Sequence, residues 1–204
     1  MRGSSDSRPL LLWRGKQRKL FAPMALAYFI TFHTYGTWLH GTSKGKGSVD
    51  LGHNQYGEEF VAPDAQREAE ARENMPQPPY TMSSAGEREI VCQAIISLCR
   101  QRGWQLLAVH VRTNHVHAVV QAGIDPGRVM SDMKARASRE LTRAGFDDAN
   151  RRRWTRHGST LHLFDEAAVA DKIDYTLNRQ GAMLAYYDGR NDNKEPRTQR
   201  YSAQ

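Results

Sequence analysis

Hydrophobic and polar positions alternate with period two in four stretches and recur with helical spacing in three others. From Ala25 to Tyr35 the chain reads as a strand, with Tyr28, Ile30 and Phe32 on one face and Phe29, Thr31 and His33 on the other. Gly36 to Gly41 turns it. Glu87 to Arg102 carries Val91, Ala94, Ile95, Leu98 and Cys99 on one broad helical face, and Gly103 stops it. Trp104 to Val111 and His115 to Gln121 read as two strands joined by a short polar turn. Pro126 opens a helix reaching to about Ala144. Thr160 to Phe164 is a short strand, and Asp165 caps a helix that runs to about Arg179 and stops at Gly181. The order strand, helix, strand, strand, helix, strand, helix predicts an α+β fold. It is a ferredoxin-like sandwich, with a central antiparallel sheet that carries the histidine strand and helices packed on it.

The remaining stretches lack such periodicity. Residues 1–23 hold six bases against one acid, broken by Ser, Gly and Pro, and read as a disordered basic tail. Met24 is a plausible true start. Residues 42–80 read as a surface insertion with a charged helix over Asp64–Asn74, and residues 186–204 as a polar, loosely held tail. The body of the domain is expected over 24–185. No apolar run is long enough to span a bilayer, so a cytoplasmic protein without membrane contact is expected. Cys92 and Cys99 share a helical face as buried thiols.

A net charge of +7 and a pI of about 9.6 favour a polyanionic partner. Residues 128–156 concentrate that charge, with nine bases against four acids. Lys134, Arg136, Arg139, Arg152 and Arg153, with Trp154 among them, suit phosphates and a stacked base. A solvated helix face is the plainer reading of the same stripe.

Two positions carry chemistry. His115 and His117 leave one face of a strand together, with Cα atoms roughly 6–7 Å apart, close enough to share an ion. On the last helix Val169, Ile173 and Leu177 form the buried stripe. Tyr175 lies about 160–200° around the axis from Ile173 and Leu177, off the packing face. Lys172 and Arg179 share its side and would favour the phenolate. A half-exposed tyrosine that only covers its neighbours would have the same spacing. A metal pair, a cation-flanked tyrosine and a basic groove together suit attack by the phenol on a phosphodiester.

Three stretches resemble the HUH single-strand endonucleases, most nearly the single-tyrosine transposases of insertion sequences and REP elements. They are residues 28–39 (YFITFHTYGTWL), residues 114–120 (NHVHAVV), and residues 154–159 (WTRHGS) with 173–181 (IDYTLNRQG) downstream. The resemblance runs from about residue 25 to 185. It implies that His115 and His117 hold Mg²⁺ or Mn²⁺, that Tyr175 is the nucleophile forming a 5′-phosphotyrosine, and that the substrate is hairpin-containing single-stranded DNA. It also implies a homodimer. In this family a polar third ligand often stands four residues after the tyrosine, where this chain has Arg179. Gln180 is the expected substitute, with Asn178 the alternative. A non-catalytic or domesticated nucleic-acid-binding module on the same fold is the competing reading, and a purely structural ferredoxin-like protein is another.

Overall fold

The computed structural model describes residues 24–39, 41–42 and 62–191. The expected basic tail, residues 43–61 of the expected 42–80 insertion and the chain beyond Asn191 lie outside the described residues. Five strands form one antiparallel sheet: β1 (Ala27–His33), β2 (Gln105–Val111), β3 (His115–Gln121), β4 (Ser159–Leu163) and β5 (Ala185–Asp188). Their order is β4-β1-β3-β2-β5. Helices α2 (Ala85–Arg102) and α3 (Pro126–Arg143) connect β1 to β2 and β3 to β4, which is the ferredoxin-like arrangement. Helix α1 (Ala65–Glu73) buries no residue, as its charged composition requires. Among the described residues no helix is long and apolar enough to cross a membrane.

Strand alternation divides the sheet into two cores. Ile30 and Phe32 of β1, Val116, Ala118 and Val120 of β3, and Val109 and Val111 of β2 meet α2 and α3 on one face. Ala27, Val119, Ala108 and Leu163 meet Ile173 and Leu177 of helix α4 (Glu166–Asn178) on the other. A register shift between Leu106 and Ala108 keeps the apolar positions of β2 in phase on both sides. Helix α2 begins with a full capping box between Ser84 and Glu87 and ends at Gly103 in the left-handed region.

Two features differ from the expected layout. Residues 185–188, the last of which were expected in a loose tail, pair with β2 as the sheet's fifth strand. Helix α4 ends at Asn178, with Arg179 as its C-cap, so Gln180 is outside the helix.

The chain leading into β4 runs tightly along β1. Thr34 and Trp154 bridge, Thr155 N–H donates to His33 O at 3.0 Å, and Gly158 presses onto Thr31. A Cβ at Gly158 would come within 2.5 Å of both Thr31 O and Met130 Sδ. Gly158→Ala should therefore destabilise the protein by about 1–3 kcal/mol, through overpacking against a backbone that cannot move. Denaturant melts of the two proteins measure it, and an unchanged midpoint would refute the close approach.

Candidate active site on the α4 face

The alternation that sends Val116 and Ala118 into the α2–α3 core turns His115 and His117 toward α4. The two imidazoles lie 4.7 Å apart, centroid to centroid. His115 is partly open to solvent and His117 is buried. Each ring is oriented by a polar neighbour. The Nδ1–H of His115 donates to Asn114 Oδ1 at 2.7 Å, which leaves Nε2 with its lone pair. His117 Nδ1 meets Thr31 Oγ1 at 2.8 Å from the paired position on β1.

Gln180 completes the group. Its Oε1 stands 3.1 Å from His117 Nε2. An imidazole nitrogen and an amide oxygen at this distance share either a proton or a cation. Adjacent ligands of an octahedral ion with bonds of about 2.1 Å are separated by about 3 Å, so this pair fits a small divalent ion. Asn178, the alternative third ligand, is exposed and donates to Asp174 Oδ1 at 2.7 Å. Among the described residues no group of three His, Cys, Asp or Glu side chains is gathered as metal ligands. The candidate set is two histidines and an amide.

Tyr175 stands at the other side of His117, edge-on, with ring centroids 5.6 Å apart. Phe29 stacks on His117 at 5.4 Å and meets Tyr175 at 5.8 Å. One chain therefore brings the tyrosine to its own histidines. Lys172 and Arg179 flank the Tyr175 ring at 5.5 and 5.9 Å, as their spacing predicts. Their charge is already engaged. Asp171 takes both cations and Asp174 takes Arg179. The sequence reading overlooked these two carboxylates.

The expected basic groove is not part of this site. Helix α3 packs on the opposite face of the sheet, so Arg136 and Arg139 lie across it from the histidines. Lys134 turns inward, where its ammonium donates to Thr155 O at 3.0 Å and His157 O at 3.1 Å. Burial pushes its pKa down to about 8. Arg153 is buried and donates to Ser138 O and Asp148 O. Trp154 packs against Phe32, and its indole N–H is taken by Lys134 O and Ser138 Oγ. These three residues hold the 150–158 loop on α3 instead of facing a ligand. Arg136 is paired with Glu140, while Arg139 and Arg152 are exposed.

His110 was not singled out by sequence, although it lies beside the motif and pairs with His117 across the sheet. It is fully buried. Its Nδ1–H donates to Thr176 O at 3.0 Å and its Nε2 accepts from Leu184 N–H at 3.1 Å. It thus ties down both ends of the segment that carries Gln180. Arg112 adds a bond to Ala182 O at 2.7 Å. His110→Phe keeps the bulk but orphans a buried carbonyl and an N–H. It should cost about 1–3 kcal/mol of stability and weaken Mn²⁺ binding measured by calorimetry; unchanged Mn²⁺ affinity would show that Gln180 needs no such anchor.

Burial is the main cause that holds His115 down to about 4 and His117 down to about 3; the charges of His33 and Arg112 add to it at His115, and those of His115 and His33 at His117. The unfolded chain takes up protons near the ordinary histidine value of about 6.5, where the fold refuses them. Stability contributed by the neutral rings is therefore present above about pH 6.5 and lost progressively toward pH 4. Thermal melts in chelator should fall steadily between pH 7 and 4.5. His115→Asn/His117→Gln should flatten that slope, and an equal slope in the double variant would assign it to other groups.

Residues 80–160 match the family described as Transposase IS200 like. No curated protein matches the chain. Among solved structures, one described as "Structure of the REP associates tyrosine transposase bound to a REP hairpin" is 13% identical, with 80% of this chain and 71% of that chain covered and a TM-score of 0.41. The family match takes in α2, β2, β3, α3 and the loop leading to β4, with the histidine pair inside it. Over these residues the chain is similar to the IS200-like transposase family.

Proposed function

We propose that the protein is a metal-dependent single-stranded DNA endonuclease and strand transferase that works through a 5′-phosphotyrosine. The observation that carries this reading is the packing of Tyr175 edge-on against His117, whose Nε2 faces Gln180 Oε1. Nucleophile and candidate ligands thus meet at one point on the sheet, in a segment of the chain next to the family match.

The chain's residues divide the work. Tyr175 Oη attacks the scissile phosphorus, the P–O3′ bond breaks, and the phenolic proton is lost as the departing 3′-oxygen gains one. The bond energy is kept in the tyrosyl ester, so a second 3′-hydroxyl can reverse the step and be joined. Mg²⁺ or Mn²⁺ held by His115, His117 and Gln180 would supply positive charge to a non-bridging oxygen. Lys172 and Arg179 would meet the phosphate, which would take over the contacts that Asp171 makes in the free protein. Asn114 holds His115 in the tautomer whose Nε2 keeps its lone pair, and Thr31 orients the His117 ring so that its Nε2 faces Gln180. Because one chain supplies both the tyrosine and the histidines, a homodimer would add a second site without being needed to complete the first.

Hairpin oligonucleotides from the flanks of the gene, incubated with the protein and Mg²⁺ or Mn²⁺, should give a covalent adduct on a denaturing gel. The adduct should need the metal and disappear in Tyr175→Phe and in His115→Ala/His117→Ala. DNA binding with no adduct from any flank would instead favour a binding module on the same fold. An adduct that persists in Tyr175→Phe would mean another nucleophile.

A further inference from the structure

Sequence reasoning assigned base stacking to Trp154, which the fold spends on its core. A different tryptophan stands on the histidine face. Rings run without a break across that face: Trp38 to His33 at 4.8 Å, His33 to His115 at 5.6 Å, His115 to His117 at 4.7 Å, and His117 to Tyr175 at 5.6 Å. Tyr175 ends the row on one side and Trp38 on the other.

Trp38 is half-buried, in the turn that follows β1. Its indole N–H has no hydrogen-bond partner among the described residues, whereas that of Trp154 has two. The turn itself is held firmly. Thr37 Oγ1 donates to Thr34 O at 2.8 Å, and Thr34 Oγ1 donates to the carbonyl of Asn114 at 3.2 Å. Gly36 takes φ +70, and a Cβ there would come within 2.3 Å of Met75 Cε. The turn is thus fixed to the residue that orients His115. A tryptophan on a rigid support, open on part of its surface and aligned with the nucleophile, is a stacking surface of low ordering cost. Arg152, exposed and 6.0 Å from the Tyr35 ring, adds a guanidinium at the same end of β1.

We propose that Trp38, backed by His33, is the platform for an unpaired nucleobase of the substrate strand. The base would belong to a nucleotide near the phosphate presented to Tyr175, and the single strand would lie along the row of rings. Stacking of this kind tolerates any base, so the platform orders the strand without reading its sequence. The proposal rests on the endonuclease reading for the identity of its ligand, a single-stranded DNA segment.

The test separates binding from cleavage. In a Tyr175→Phe background, single-stranded oligonucleotides from the gene flank are titrated while tryptophan emission is followed. Binding should quench the emission. Trp38→Ala should remove most of that quench and weaken binding about tenfold, and Trp38→Phe should retain most of the affinity. One abasic position, moved along the oligonucleotide, should cost as much as Trp38→Ala at a single place and cost nothing further in the Trp38→Ala protein. Equal affinity in Trp38→Ala and its parent, or additive penalties at every abasic position, would overturn the platform. If the protein with Tyr175 intact still forms the tyrosyl adduct, only the platform has failed. Coupling between Trp38 and one base without any adduct would instead uphold the platform and set aside the cleavage chemistry. Circular dichroism melts of both Trp38 variants establish that they fold.

Discussion

The period-two alternation of β3 is the constraint on which the other features depend. The strand lies at the centre of the sheet, between β1 and β2. Val116, Ala118 and Val120 are fully buried against α2 and α3, and that burial fixes the register. A slip of one residue would bury the histidines in the apolar core and expose the valines. The same register sets His117 against Thr31 and His110, and His115 against His33. Packing on one face therefore dictates the chemistry on the other.

The site is kept neutral by its surroundings. Burial dominates the lowering of His33, His110, His115 and His117, and the nearby cations Lys134 and Arg112 act in the same direction on His33 and on His115. A neutral imidazole is the form that can offer a lone pair to a cation. Each Nδ1 is engaged, that of His115 with Asn114 Oδ1 and that of His117 with Thr31 Oγ1, so Nε2 is the nitrogen that faces the site. On the helix the opposite arrangement holds. Lys172 and Arg179 stand beside Tyr175, and Asp171 and Asp174 pair with them.

Much of this was legible in the sequence because it follows from periodicity. The strands around residues 28–33, 105–111 and 115–121 alternate, and the stripe of α4 put Ile173 and Leu177 in the core; Tyr175, expected off the packing face, is half-buried and rests on His117 and Phe29 of the sheet. The basic stretch misled because counting charges along a chain does not say which face of a sheet a helix will cover. Lys134, Arg153 and Trp154 look like a nucleic-acid surface in one dimension. In three dimensions they satisfy backbone carbonyls and a helix hydroxyl in a loop that the sheet edge must accommodate. Strand β5 was missed because four residues beside a polar stretch give no pattern of their own. Its place is set by the open edge of β2, where Val109 and Tyr187 are paired.

Gln180 shows where periodicity stops being the right rule. On a continued helix it would point well away from Tyr175, by about 140°. The helix ends first, Gly181 turns the backbone at φ +75, and His110 and Arg112 hold the segment beyond. The side chain thereby reaches His117. The resulting set of two imidazoles and one amide carries no negative charge. A divalent cation bound there would keep its full charge, and ions such as Mg²⁺ bind weakly to neutral ligands alone. On the proposed endonuclease reading a phosphodiester would bring the missing negative charge, so ion and strand would each bind more tightly in the presence of the other.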